Sequence, residues 1–157
     1  MTTRAELTAL AERIRTSTDP ARYMDGSITK VYRVLDADIA RATGFGLVAQ
    51  EWQYEKLEWY AWVDTQRWGP WEVLKHYTTD INHAMKLVPE GTGIHINRYW
   101  NREGEAWSTS ISFGGLPDDP RRVYECFDAV SAALAITATA LIARAGELPL
   151  TLEGEVP

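Results

Sequence analysis

Residues 94–113 read Ile-His-Ile-Asn-Arg-Tyr-Trp-Asn-Arg-Glu-Gly-Glu-Ala-Trp-Ser-Thr-Ser-Ile-Ser-Phe. Ile94, Ile96, Arg98 and Trp100 alternate with His95, Asn97 and Tyr99, which is the period of a strand. Asn101-Arg102-Glu103-Gly104 supplies a turn, and the return from Ala106 to Phe113 places Trp107, Thr109, Ile111 and Phe113 on one face. A hairpin is predicted here. Upstream, residues 57–63 (Leu-Glu-Trp-Tyr-Ala-Trp-Val) are rich in aromatic and β-branched types and predict a second strand region with apolar contact on both faces. Trp68-Gly69-Pro70-Trp71 predicts a turn.

Helical spacing surrounds this centre. Leu7, Leu10, Ala11 and Ile14 share one helix face, with Thr3 and Glu6 placed to form a capping box. Ser17-Thr18-Asp19-Pro20 ends that helix. A second helix is expected over Lys30 to Thr43, with Val31, Val34, Leu35, Ile39 and Ala42 inward and Gly44 as its stop. Tyr77-Thr78-Thr79-Asp80 starts a short helix to Val88, with Ile81, Ala84, Met85 and Val88 on one face and Pro89 and Gly91 ending it. Beyond a loop at Gly114 to Pro120, a long helix is expected from about Arg121 to Ala145, apolar nearly all round from Ala129. The fold class is therefore α+β: a small antiparallel sheet with a central hairpin, covered by N-terminal, central and long C-terminal helices. One domain over residues 1–157 is expected, with a loose tail from Gly146.

Composition bounds the function. The 157 residues carry 16 Lys+Arg against 22 Asp+Glu, a net charge of −6, and have an ordinary 45% hydrophobic content. Such a chain is not disordered, and its lack of a basic cluster argues against long nucleic acid as a partner. The single cysteine excludes a disulfide framework and a Cys-based zinc site. Neither a leader nor a membrane span is recognised, so a cytoplasmic location is expected. Cys126 falls on the expected long helix, where it reads as a core residue, and no nucleophile elbow is present. His76, His83 and His95 lack the spacing of a metal site. Glu51, Glu55 and Glu58, at helical or mixed spacing, read as a solvated face. Gly44-Phe45-Gly46 and Gly91-Thr92-Gly93 lack the third glycine of a phosphate cradle. No cofactor or metal is expected.

The aromatic content is unusual. All seven tryptophans lie between Trp52 and Trp107, and 13 of the 17 Phe, Trp and Tyr residues fall within residues 45–113. Tryptophans fill cores and interfaces, but an exposed indole can also stack on a nucleobase beside a cation that holds its phosphate. Two groups have that composition. Asn97, Arg98, Trp100 and Arg102, with Tyr99 and Asn101, stand where the hairpin reaches its turn; Trp71 and Lys75, with Trp68 and His76, form the second.

Leu35-Asp-Ala-Asp-Ile-Ala-Arg-Ala-Thr-Gly44, Tyr77-Thr-Thr-Asp-Ile-Asn-His-Ala-Met-Lys-Leu-Val-Pro-Glu-Gly91 and the Ala-rich run from Cys126 to Ala143 resemble the opening, central and closing helices of the phage ABA sandwich domain family. With the intervening strands the resemblance covers about residues 30–145, and the Tyr77–Gly91 segment is its specific part. The chain departs from the simplest members in its longer N-terminal helix and over Gln50–Trp62. The resemblance implies a phage or prophage origin, a non-enzymatic role in the host cytoplasm and self-association into a homo-oligomer. Some phage anti-defence proteins of similar size and design, Thoeris antagonists among them, act as sponges for nucleotide immune signals. The leading expectation is thus a binding protein that sequesters a small anionic nucleotide-type ligand, with Trp100 or Trp71 on the base and Arg98, Arg102 and Lys75 at the phosphates. The alternative is an inhibitor that binds a host protein through an aromatic, acidic surface. An enzyme using His76 or His95 as base ranks last, because no companion group stands at a useful spacing.

Overall fold

The structure, a computed structural model, describes residues 2–17, 26–53, 55–66, 69–113 and 123–148. The expected loop at Gly114 to Pro120, Trp68, and most of the expected tail lie outside the described residues. In chain order come α1 (Arg4–Arg15), α2 (Gly26–Ala42), β1 (Leu47–Gln53), β2 (Lys56–Trp62), β3 (Trp71–Val73), α3 (Ile81–Met85), β4 (Thr92–Asn101), β5 (Gly104–Phe113), β6 (Val123–Ala129) and α4 (Ala132–Glu147). The class is α+β, as expected. The strands form two three-stranded antiparallel sheets, ordered β1-β2-β3 and β4-β5-β6, where a single small sheet was expected.

The core is built around α4, whose residues from Ala132 to Leu141 are all buried, as are Ala143 and Ala145. Small alanine side chains let α1, α3 and the β4-β5-β6 sheet all approach this helix closely. Helix α1 contributes Leu7, Leu10, Ala11 and Ile14 to that core, the face its spacing predicts. Its capping box forms as expected: the Thr3 hydroxyl accepts from the Glu6 N–H at 3.2 Å, and the Glu6 carboxylate accepts from the Thr3 N–H at 2.7 Å. Among the described residues no helix is long and apolar enough to cross a membrane.

The long C-terminal helix is shorter than expected. Residues 123–129 are a strand, with Ser112 opposite Val123, Ile111 opposite Tyr124 and Thr109 opposite Cys126. Cys126 therefore sits buried on a strand and not on a helix. Two polar residues within the span of the expected helix have other tasks. Asp128 adopts a positive φ of 61° beside an irregularity in the β5–β6 pairing, and Ser131 is the α4 N-cap, accepting from the Leu134 N–H at 3.3 Å. The helix then runs two residues beyond Ala145, so Gly146 and Glu147 belong to it and not to a loose tail.

The expected 94–113 hairpin is observed, with Ile94 opposite Ile111 and Arg98 opposite Trp107. Helix α3 starts at its Asp80 cap, whose carboxylate accepts from the Asn82 and His83 N–H groups, but its regular part ends at Met85. Ile81, expected on its inward face, is 48% exposed. On α2, Val34 is likewise exposed, while Arg33 and Asp36 are buried in its place. Position on the helix decides this. The α2 face that meets the segment after β3 carries charged residues that satisfy one another. The stretch containing Glu51, Glu55 and Glu58 is the β1–β2 hairpin, with Glu51 opposite Glu58 across the pair.

Candidate functional site

The buried guanidinium of Arg33 organises one side of the molecule. Its Nη1 donates to Asp36 Oδ2 and to the Lys75 carbonyl, both at 3.1 Å, and its Nη2 donates to Glu58 Oε1 at 3.1 Å and the Leu74 carbonyl at 2.9 Å. Asp36 Oδ1 accepts from the N–H and the hydroxyl of Thr78, each at 2.9 Å. Burial raises the Asp36 carboxyl above its ordinary value, against the pull of Thr78 and Arg33. His76 Nδ1 lies 3.3 Å from Arg33 Nη1, and its ring stacks on His83 at a centroid distance of 5.9 Å. Desolvation and the guanidinium hold His76 below its ordinary pKa. These contacts pin residues 74–78 to α2 and β2, and the Thr137 hydroxyl anchors the same segment from α4 by donating to the Tyr77 carbonyl at 2.8 Å.

The pinned segment forms one wall of a basic pocket of about 270 Å³. Its lining is Thr43 and Phe45 from the end of α2, Lys75 and Tyr77, Lys86 and Leu87 after α3, and Arg144 from the last turn of α4. Arg144 is half-buried, its Nε donating to the Leu87 carbonyl at 2.9 Å. Burial depresses its pKa. Lys75 is ion-paired with Glu72. Among the described residues, neither Lys86 nor Arg144 has a carboxylate partner. The Tyr77 phenol, pushed up to about 12 by burial, stays a neutral hydroxyl at physiological pH. Thr43, Phe45 and Arg144 also line a larger groove of about 660 Å³ with Leu7, Phe113 and Leu148, so the cationic pocket and an apolar groove share a wall. A third concavity, between α1 and α2, differs in charge: its arginines, Arg13 and Arg41, are both bridged by Asp38.

The residues expected to bind ligand fall on different elements. Asn97, Arg98 and Trp100 lie on β4 and Arg102 in the following turn, all exposed; Trp100 is 77% exposed. Arg98 pairs with Glu105 on the neighbouring strand at 3.4 Å. Trp71 lies on β3 in the other sheet, edge-on to Tyr60 with ring centroids 5.3 Å apart. Of the six, Lys75 alone enters the basic pocket; the other five line none of the three concavities. Phe45, Lys86 and Arg144 were missed because they come from separate segments, and an isolated lysine or arginine carries no signal in one dimension. Cys126 is buried and its thiol is pushed up to about 11, which leaves almost no thiolate for nucleophilic chemistry at neutral pH. No group of His, Cys, Asp or Glu among the described residues has the geometry of a metal site.

Comparison of the chain with protein-family models, with curated proteins and with solved structures found no match.

Proposed function

We propose that this protein is a non-enzymatic binding protein that captures a small anionic ligand of nucleotide type. The observation that carries the reading is Arg144, a half-buried guanidinium with no carboxylate partner among the described residues, beside Lys86 and Lys75. Burying a cation without a counter-charge is unfavourable, and an anionic group in the pocket relieves that cost. Arginine offers phosphate a planar fork, and the two lysines add point charges. The groove sharing Phe45 and Arg144 extends toward Phe113 and offers apolar surface for a flat base. The ligand reading thus keeps Lys75 but rests on the pocket and not on the hairpin end. A net charge of −6 opposes anions at long range, and a local cluster of cations overcomes that field at contact. The phage origin rests on the family resemblance, of which the Tyr77–Gly91 segment is the specific part, and the role as a sponge for an immune signal rests on likeness in size and design to phage anti-defence proteins; together they name the first ligands to try.

The test is a thermal-shift panel of cyclic dinucleotides, cyclic ADP-ribose isomers and plain nucleotides. A ligand at a hundred times its Kd stabilises by about 2.7 kcal/mol, or roughly 5–11 °C for a chain of this size. The bound compound is expected back chemically unchanged after denaturation. Lys86→Ala and Arg144→Leu are expected to abolish the shift, while Lys86→Ala leaves the unliganded Tm in place. A ligand that binds equally well to both variants would remove this site, and turnover of the ligand would make the protein an enzyme.

A second reading is favoured by the exposed aromatics Trp52, at 68%, and Trp71, at 54%, on the β1-β2-β3 sheet. Such residues suit a protein partner. A pull-down that depends on Trp52 or Trp71, with no response across the nucleotide panel, is the result this reading expects.

A further inference from the structure

Strand β4 is an edge of its sheet, and its ten residues pair with β5 on one side only among the described residues. A free edge presents a row of backbone donors and acceptors, and proteins usually blunt it with a proline, a bulge or a lysine. Strand β4, from Thr92 to Asn101, has no proline and no lysine, its pairing with β5 is regular from end to end, and its one charged side chain, Arg98, is paired with Glu105 on β5. On its helix-facing side the edge carries two exposed apolar residues, Ile96 at 38% and Trp100 at 77%, with Arg98 between them.

The hairpin end is held rigid. Tyr99 reaches over the buried Ala106 to β6, where its hydroxyl donates to Asp128 Oδ1 at 2.6 Å and accepts from the Asp128 N–H at 2.8 Å. Asn101 Nδ2 donates to the same carboxylate oxygen at 3.1 Å. An edge fixed in this way is already ordered, so pairing it costs less entropy.

We infer that β4 pairs antiparallel with β4 of a second copy of this chain, with Asn97 on the two-fold axis. In that register residues 93–101 of one copy run against 101–93 of the other. Trp100 then sits opposite Ile94 of the partner copy and diagonal to its Ile96, within the reach of cross-strand side chains. Ile96 sits opposite Arg98, whose charge is already answered by Glu105. The segment from Thr92 to Arg102 holds no Asp or Glu in a chain with 22 of them, so the net negative charge does not fall on this contact. Pairing joins two three-stranded sheets into one of six, an isologous arrangement that closes as a dimer. A stable dimer needs about 800 Å² from each partner. The Trp100 indole supplies roughly 200 Å² of that, and the backbone edge with Ile94, Ile96 and the Arg98 stem supplies further area.

Two measurements on the full chain test this. Analytical ultracentrifugation is expected to find a dimer at micromolar concentration, and Trp100→Glu, at an exposed position, is expected to weaken it about thirty-fold or more with unchanged circular dichroism. Asn97→Cys is expected to form an intermolecular disulfide under mild oxidation, because facing residues of an antiparallel pair have Cα atoms about 4.5–5.5 Å apart, within disulfide range. Val73→Cys, exposed on the other sheet, is the control that stays unlinked. A chain that stays monomeric at about 100 μM, where a micromolar dimer would be almost fully formed, overturns the inference. So does a dimer that tolerates Trp100→Glu, or one that links through Val73 and not through Asn97. The outcome is independent of whether a nucleotide binds the basic pocket.

Discussion

Replacing Asp36 with alanine removes three hydrogen bonds from a site with no access to water. Asp36 is 0% exposed and accepts from Arg33 at 3.1 Å and twice from Thr78 at 2.9 Å. Breaking a buried ion pair from one side costs about 3–5 kcal/mol, because the remaining charge stays buried. Glu58 still pairs with Arg33, which lowers the cost, while the two orphaned Thr78 donors raise it by about 1–3 kcal/mol each. The expected loss is about 3–5 kcal/mol, which for a domain of this size lowers Tm by roughly 6–20 °C. Urea unfolding followed by circular dichroism gives the value. Asp36→Asn is expected to cost less, since an amide oxygen can still accept from Thr78. A double variant, Arg33→Met with Asp36→Leu, is expected to be more stable than Asp36→Ala, because the buried guanidinium is gone and Glu58, which loses that pairing, is partly exposed. A loss below 1 kcal/mol for Asp36→Ala, or simple additivity in the double variant, would refute the claim that these groups act as one buried unit.

Cys126 is expected to resist thiol reagents in the native protein at pH 8 and to react once the chain is unfolded; fast native labelling, timed by absorbance, would contradict its burial on β6. The Asp128 carboxyl titrates below its ordinary 3.8 because the Tyr99 hydroxyl and the Asn101 amide donate to it. The fold therefore favours the ionised form. That contribution is complete above the ordinary value and disappears as pH falls through the lowered one. Tyr99→Phe is expected to return the Asp128 titration, followed by carboxyl NMR shifts, toward 3.8, and an unchanged titration would sink the assignment of cause.

Local chemistry was readable where one segment decides its own conformation. The Thr3–Glu6 capping box, the helix start over Tyr77–Asp80, the helix stop at Gly44 and the 94–113 hairpin with its turn at Asn101–Gly104 all depend on neighbours within a few residues or on one turn. The errors arose where distant parts compete. Val123–Ala129 has helix-compatible residues, and pairing with β5 pulled it into a strand. Leu47–Gln53 mixes apolar and polar residues, so the β1 strand of the first hairpin carried no clear period. Arg33 and Asp36, spaced three apart, look like a surface pair until the 74–78 segment closes over them. The basic pocket was least legible. Its cations stand at positions 75, 86 and 144, and only the packing of α4 against α3 and the anchoring of the 74–78 segment bring them to one place.

The central position of α4 bears on how the chain is made. It is the last of the described elements, yet α1, the first of them, packs directly on it, as do α3 and the β4-β5-β6 sheet. On the ribosome, α1, α3 and the β4–β5 hairpin emerge with the faces that meet α4 uncovered, and they remain so until residues 132–147 leave the exit tunnel. Much of the core therefore assembles late and through contacts far apart in sequence, the kind that form slowly. A nascent chain stalled before Ala132 is a natural client for chaperones and proteases.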